Sequence, residues 1–401
     1  MLALMRDARR VPPFVVPLFG ATLLAACDPA TDDRLDADSV DAASFDAVTP
    51  DATRLDAAEP QDSAQPADAA RDSGSADSGL DASPPDAAPV GCVGPPGLYA
   101  EGSCTALAAG VRPYHPAHAL WSDGLEKERF VYLPPGTQID TSDPDRWGFP
   151  VGTRLYKTFS SSGVRFETRL LEKIEASRGP RSWRMVSYLW SDDQRSVSLV
   201  SAFGQRDVHG TDHDIPSLAE CIRCHSVAQD DALDGFSAIQ LAHDEGGVTL
   251  ATLLDEGWLS DPIDPAQAMI PGDATTRAAL GYLHANCGNC HGGPSPEHGL
   301  DHWIRVGTTD VESTGTWRTA VCGCSVWSRT LPSGDVVNLR VAPQHPDTSV
   351  TTVRMSTRMP TEQMPPIGSR LVDDEGVRLV SAWIASLDAT ANGCPHGCPW
   401  P

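Results

Sequence analysis

The sequence predicts a multidomain protein: a disordered N-terminal linker, then an antiparallel β domain, then a mainly α region. Three observations predict this order. An acidic stretch with few apolar residues comes first, runs of β-branched and aromatic residues follow up to about residue 215, and apolar residues recur at helical spacing beyond it. At 401 residues the chain is long enough for two or three domains.

Residues 1–26 have the pattern of a bacterial secretory signal. Arg6, Arg9 and Arg10 precede an apolar run of 16 residues, Val11 to Ala26, which is too short for a membrane-spanning helix. Small residues at the end of this run, directly before Cys27, resemble the lipobox of bacterial lipoproteins. We therefore expect Cys27 to carry a lipid anchor in the cell envelope, facing periplasm or exterior. An ordinary cleaved signal or a short anchor is the alternative.

Residues 27–90 are predicted to be the lipidated cysteine and a disordered acidic linker. Positions 28–90 hold 15 Asp and one Glu against three Arg, and too few apolar residues to form a core. The whole chain has a formal charge of −24. Because nucleic-acid binding generally needs a basic face, this composition argues against a nucleic-acid partner.

Residues 91–215 are predicted to form the β-rich domain, because strand-forming runs alternate there with Gly, Pro, Ser and Asp clusters. The expected strands are Phe130 to Leu133, Val151 to Phe159, Val164 to Ile174, Trp183 to Trp190 and Ser196 to Val200.

The rest of the chain is divided into three segments. Residues 216–273 carry a first cysteine motif, residues 274–390 form the expected helical domain, and residues 391–401 are a tail that contains cysteine. Helices are expected at Ala274 to Asn286 and at Asp373 to Leu387, where apolar side chains fall on one face.

Two pentapeptides match the haem-attachment pattern Cys-x-x-Cys-His: Cys221 to His225 and Cys287 to His291. Two cysteines three positions apart can form thioethers with the vinyl groups of one haem, and the histidine that follows can bind its iron. We therefore predict two covalently bound haem c groups, attached through Cys221 and Cys224 and through Cys287 and Cys290, with His225 and His291 as proximal ligands.

Two other interpretations of these motifs remain open. Cysteine and histidine at this spacing can also bind zinc, although secreted proteins use such sites less often than cytoplasmic ones. Each Cys pair can instead form a short disulfide or a thioredoxin-like redox pair, but the sequence lacks the βαβ context of that fold.

Candidates for the sixth iron ligand are methionines and histidines. Met364, in Met364-Pro365-Pro366, is the candidate for the second haem, with Met355 and Met359 as rivals. Candidates for the first haem are His243 and Met269, and beyond them His209 and His213; its iron can also be five-coordinate.

The order helix, Cys-x-x-Cys-His, Met-Pro and helix resembles the class I cytochrome c domain from residue 274 to about 388. Together with Leu120 to Gly124, Leu133 to Gly136 and Trp147 to Gly152, the two motifs also resemble a largely uncharacterised family of secreted bacterial dihaem c-type cytochrome-like proteins. That similarity covers about residues 113–387. It implies the two-part layout but no known substrate.

Six cysteines remain once lipid and haem are assigned, and an oxidising compartment favours disulfides between them: Cys92, Cys104, Cys322, Cys324, Cys394 and Cys398. Cys92 with Cys104 is the simplest loop, and the other two doublets can cross-link. Two alternatives involve metals. Cys394 and Cys398 can belong to a metal site instead of disulfides, and Asp140, Asp143 and Asp145 can bind calcium.

Together these features predict a membrane-tethered dihaem c-type cytochrome that transfers single electrons, rather than a catalyst. Its expected partner is a redox protein or a quinone-linked chain. One alternative is a haem oxidoreductase resembling a dihaem peroxidase, with an open first haem. A second alternative is a surface binding module that uses the β domain.

Overall fold

The computed structural model describes residues 91–225, 231, 233–292 and 299–388, together with Cys394 and Cys398. The predicted signal peptide, Cys27 with its lipid and the acidic linker lie outside the described residues.

The first half of the described chain is a six-stranded antiparallel sheet, which confirms the predicted β domain. Strands that follow one another in the chain are neighbours in the sheet, so the order is β1 to β6. The strands are β1 Val111–Pro113, β2 Glu126–Tyr132, β3 Arg154–Ser161, β4 Val164–Lys173, β5 Trp183–Trp190 and β6 Val197–Leu199.

The shortest strand at the start of the sheet was missed by the sequence analysis. β1 has three residues and contains Pro113, which pairs with Phe130 of β2. A proline cannot donate a ladder hydrogen bond, so it is tolerated on an edge strand such as this one. β2 begins at Glu126, earlier than predicted. The sequence analysis missed this start because polar side chains occupy the first positions of the strand.

The second half contains helices, long loops and a second small sheet, so the structure does not show the predicted mainly α region. Most helices are short because Gly-rich and Pro-rich segments interrupt them. The helices are α1 Leu218–Cys224, α2 Ala238–Leu241, α3 Leu250–Asp255, α4 Ala274–Asn286, α5 Gly315–Ala320, α6 Val350–Met355 and α7 Asp374–Ser386. Strands β7 Cys324–Thr330 and β8 Val336–Leu339 form the small sheet.

The two long helices, α4 and α7, lie where the sequence predicted them and pack together. An aspartate caps each N-terminus, Asp273 for α4 and Asp373 for α7. A Cβ atom on Gly376 would lie 2.3 Å from the ring of Tyr282, so only glycine permits this close approach of α7 to α4.

The largest hydrophobic core joins the sheet to the helices. It includes Leu155 of β3, Leu280 of α4 and Trp383 of α7, with Trp147 and Phe236 from loops between them. The core therefore runs across the predicted boundaries near residues 215 and 273. Among the described residues, no helix combines the length and apolar composition needed to cross a bilayer.

The six remaining cysteines lie in three pairs at disulfide distance. Cα–Cα distances are 5.6 Å for Cys92–Cys104, 5.1 Å for Cys322–Cys394 and 5.5 Å for Cys324–Cys398. The last two pairs tie the start of β7, at Cys324, and Cys322, two residues before it, to Cys394 and Cys398 near the C-terminus. Because Cys394 and Cys398 are used in this way, they are not available as ligands for a metal in the tail.

Candidate functional site

The first motif lies at the end of α1, a helix that is fixed at its start by a capping box. Ser217 accepts a hydrogen bond from the backbone of Glu220, and the Glu220 side chain accepts one from the backbone of Ser217. The His225 backbone N–H then bonds the carbonyl of Cys221 at 3.0 Å. This local order holds Cys221, Cys224 and His225 on consecutive turns.

The second motif continues directly from α4. The Cys287 carbonyl accepts hydrogen bonds from the backbone of Cys290 at 3.1 Å and of His291 at 2.7 Å. A Cβ atom on Gly288 would lie 2.5 Å from the carbonyl oxygen of His284, so glycine is required inside this turn.

Both motifs line the same cavity, which has a volume of about 930 Å³. This volume is near the upper end of the roughly 300–1,000 Å³ that ligand pockets occupy. The cavity brings together all six residues predicted to attach and ligate haem, Cys221, Cys224, His225, Cys287, Cys290 and His291.

None of the four motif cysteines is in a disulfide, and Cys224 of the first motif interacts with Cys290 of the second. A hydrogen bond with Cys290, together with burial, raises the pKa of Cys224 above its ordinary value. Burial also raises the pKa of Cys221, and it raises the pKa of Cys287 to about 12. These three cysteines are therefore protonated at neutral pH.

The two motif histidines have different neighbours. Nε2 of His225 lies 3.5 Å from a carboxylate oxygen of Asp234, which also lines the cavity. The ring of His291 stands at 87° to that of His302, with ring centroids 6.2 Å apart. Among the described residues, no three His, Cys, Asp or Glu side chains form a group that could hold a metal ion.

Met364 lines the cavity with His291, as expected for a sixth ligand. Its backbone N–H bonds the carbonyl of Arg354 at 3.0 Å, which fixes the segment beside α6. Met355 also lines the cavity, whereas Met359 is 54% exposed and does not. The position of Met364 is thus consistent with the predicted role, and Met355 is the remaining rival.

The two candidates predicted for the first haem lie elsewhere. His243 bonds the carbonyl of His115 through Nε2 at 2.7 Å, and Met269 is 55% exposed; neither lines the cavity. Both come from loops, whose path the sequence does not fix. His209 contacts Asp192 outside the cavity, while His213 does line it.

His213 belongs to a buried polar cluster on the cavity wall. Its Nε2 lies 2.8 Å from Glu167, and Arg169 donates to the same carboxylate through two nitrogens. Although burial raises the pKa of Glu167, Arg169 and His213 lower it more strongly, to about 2. Glu167 is therefore ionised in the folded protein.

One face of the large sheet forms a wall of this cavity. Leu155, Leu171 and Met185 form a cross-strand row on β3, β4 and β5, and Lys157 and Arg169 belong to the next row. All five residues line the cavity, as expected from the two-residue period of strands.

The cavity is lined by more cations than anions, although the chain is acidic. Four carboxylates line it, Asp123, Asp214, Glu220 and Asp234, against eight basic residues. The basic residues are Lys157, Arg169, Arg206, Arg223, Arg340, Arg354, Arg358 and Arg370. Burial lowers the pKa values of Arg340, Arg354 and Arg358, which shows that these guanidinium groups are partly withdrawn from water.

The sequence analysis also missed His302. It is 1% exposed, lines the cavity, and donates its backbone N–H to the carbonyl of His291 at 2.5 Å. Its Nδ1 lies 3.1 Å from the Thr316 hydroxyl, and burial lowers its pKa to about 3, so the ring is neutral. No spacing pattern in the sequence distinguishes His302 from the other histidines.

The alternative calcium site at Asp140, Asp143 and Asp145 is not assembled in a form that favours the ion. Asp140 pairs with Arg178 at 2.6 Å, and Asp145 accepts the backbone N–H of Val306 at 2.8 Å.

Comparisons with protein-family models, with curated proteins and with solved structures found no match for this chain.

Proposed function

We propose that this protein is a lipid-anchored c-type cytochrome with two haems, which transfers single electrons in the bacterial cell envelope. One observation carries the proposal: both Cys-x-x-Cys-His motifs, one at the end of α1 and one directly after α4, line the same cavity, and none of their four cysteines is in a disulfide. Two independent motifs with this spacing are typical of haem attachment.

The chain's own residues have distinct roles in this proposal. Cys221 and Cys224 hold one haem and Cys287 and Cys290 the other, while His225 and His291 bind the irons. Met364 would supply the second protein ligand to the iron that His291 holds, and a thioether in that role raises the reduction potential relative to a second histidine. The bound haem supplies a one-electron change of its iron, and the protein sets the potential and excludes water.

The segment from α4 to α7 is the cytochrome c-like part of this proposal. A helix leads into the second motif, Met364 follows on the same cavity, and α7 packs on α4. This arrangement supports the resemblance to class I cytochrome c domains, although loops separate the helices.

The electrostatics of the cavity support a cofactor that carries negative charge. Haem has two carboxylates, and eight basic residues line the cavity against four acidic ones. The whole chain has a net charge of −24, so the cavity lining is more basic than the chain as a whole. Arginine forms bidentate hydrogen bonds with carboxylates and suits this task.

The expected location rests on other features. The lipobox-like sequence before Cys27 supports attachment to a membrane, and the three cysteine pairs at disulfide distance support an oxidising compartment. A redox protein or a quinone-linked chain would then exchange electrons with the haems from the membrane surface.

An optical redox titration of the mature protein tests electron transfer. The proposal predicts reversible one-electron steps for two haems, and no turnover with peroxide. An absorbance spectrum that does not respond to the applied potential would contradict it.

The peroxidase-like alternative is favoured by one observation: three of the four candidate sixth ligands of the first haem, His243, Met269 and His209, lie away from the cavity. The fourth, His213, lines it, but its Nε2 lies 2.8 Å from Glu167. An open iron binds carbon monoxide or peroxide, whereas a six-coordinate one only passes electrons. Carbon monoxide added to the reduced protein distinguishes the two, because no spectral change at the first haem would rule out the enzyme.

A further inference from the structure

Three cations form a continuous row across the large sheet. Arg129 of β2 lies directly opposite Lys157 of β3, and Lys157 lies directly opposite Arg169 of β4. We call these three residues the sheet cation row. Like charges at directly opposed positions destabilise a sheet, so this arrangement needs compensation from elsewhere.

Compensation within the protein is incomplete. Arg169 is paired with Glu167, at 2.5 Å. Among the residues that the structure describes, neither the Arg129 guanidinium nor the Lys157 ammonium has a hydrogen bond or an ion pair. The Lys157 ammonium lies 5.5 Å from the centroid of the Phe159 ring, and the charge of Asp234 attracts it. Arg129 is 7% exposed, so only a small part of this residue reaches water.

Burial makes this row electrostatically costly. Burial lowers the pKa of Lys157 well below its ordinary value, and the charges of Arg129 and Arg169 lower it further. Burial likewise lowers the pKa of Arg129. An anion placed beside the row would reverse these effects, because an opposite charge favours the charged form of a lysine.

Two of the three residues of the row face the space next to the first motif, and Arg129 lies beside a smaller void. Lys157 and Arg169 line the main cavity, and Lys157 also borders a small void that Arg129 and Asp234 share. Arg169 interacts electrostatically with Cys221 and Cys224. An anion bound by the row would therefore lie beside the proposed attachment site of the first haem.

We propose that the sheet cation row is a carboxylate-binding site next to the first motif. A carboxylate fits because arginine can bind both of its oxygens and lysine supplies a further charge. Two kinds of molecule can supply this carboxylate. One is a haem held by Cys221 and Cys224, and the other is a small organic acid from solution. The first source rests on the proposed function, and the second does not.

The test uses the mature, full-length protein with Lys157→Met, which removes the charge and keeps the aliphatic stem. Arg129→Met, made in parallel, tests the same row from its other end. The control is Arg184→Met: Arg184 lies on β5 of the same sheet, its side chain is 54% exposed, and it does not line the cavity. Haem content is measured first, and the midpoint potential of each haem is then measured in chloride and in sodium acetate at equal ionic strength.

If the row binds the carboxylates of haem, two haems per chain remain and one becomes harder to reduce in both row variants. We expect the reduced-to-oxidised ratio at a fixed potential to fall by about tenfold, or 59 mV for one electron. The shift should not depend on acetate and should be absent in Arg184→Met. If the row binds a free acid, acetate should shift the wild-type potential saturably, and Lys157→Met should abolish that response.

Normal haem content with unchanged potentials and no acetate response would overturn the proposal while leaving the proposed function intact. A protein without haem would remove the first source only. In that case the thermal midpoint of the wild type should rise saturably with acetate and that of Lys157→Met should not. Equal responses of the two proteins would overturn the carboxylate site.

Discussion

The thiols of Cys224 and Cys290 are hydrogen-bonded to each other, although 66 positions separate them in the sequence. Each is the second cysteine of its Cys-x-x-Cys-His motif. This contact brings the two motifs to one cavity instead of leaving them in two separate domains. Under the proposed function, the two haems would be close enough to exchange electrons within one protein.

Replacing the cysteines of one motif should remove one haem. We expect the double variant Cys287→Ser with Cys290→Ser to retain only the haem attached to the first motif. The double variant Cys221→Ser with Cys224→Ser should retain only the haem attached to the second motif. The readout is the mass of the denatured chain, which retains only covalently bound haem.

A matched control is Cys92→Ser with Cys104→Ser. This pair closes a short loop outside the cavity, so its loss should cost about 3 kcal/mol of stability without changing the haem count. Loss of haem in this control, or two haems in a motif variant, would contradict the assignment of the cysteines.

Met364→Ala should lower the reduction potential of the second haem. A thioether ligand stabilises ferrous iron relative to nitrogen or water ligands, and axial ligands set haem potentials over about 0.8 V, so a change on the order of 100 mV is expected. Met359→Ala is the matched control, because Met359 is exposed and outside the cavity. An unchanged potential in Met364→Ala, with Met355→Ala lowering it instead, would assign the ligand to Met355.

The buried pair of Lys173 and Asp231 should be a major stabilising contact between the sheet and the segment after the first motif. Both side chains are 0% exposed, and Asp231 also accepts hydrogen bonds from Trp183 and the backbone of Phe149. Asp231→Ala leaves a buried ammonium unpaired and should cost about 3–5 kcal/mol in urea unfolding. Glu256→Ala breaks the exposed pair with Arg112 and should cost less than about 1 kcal/mol. Equal costs would show that the buried pair is not the stronger contact.

Stability should fall in acid partly through Glu167. Its pKa in the folded protein is about 2, below the ordinary value of 4.5, so the unfolded chain binds a proton at a higher pH than the folded chain does. The stabilisation is therefore present above pH 4.5 and is lost as the pH falls towards 2, by an amount on the order of 3 kcal/mol. Urea unfolding of Glu167→Gln across this range should show a shallower loss than the wild type. Parallel curves would contradict an ionised Glu167.

The sequence predicted the elements whose own residues determine them. Helices α4 and α7 carry an apolar stripe and an aspartate cap, and β4 and β5 carry long runs of strand-forming residues; each lies within a residue of its predicted bounds. The two Cys-x-x-Cys-His motifs were visible in the sequence because haem attachment requires this spacing, and haem binding itself stays a prediction. By contrast, the sequence analysis overestimated the helix content of the second half. Many apolar residues there are buried in loops, and their spacing in the sequence was interpreted as helical.

The cavity could not be predicted from the sequence, for a physical reason. Lys157 and Arg169 share one face of the sheet with Leu155, Leu171 and Met185, and a mixed face of this kind does not indicate whether it meets water, a core or a cavity. The other walls of the cavity come from residues of α1, α4 and α6, and their position relative to this face follows from the tertiary structure alone. The placement of His243 and Met269 failed for a related reason, because both lie in connecting segments.

The most direct test of the central claim is a pyridine haemochrome assay on protein matured in a bacterial envelope, with the haem content divided by the chain concentration. The proposed function predicts two c-type haems per chain. One haem would restrict the claim to a single motif, and a colourless protein would contradict it.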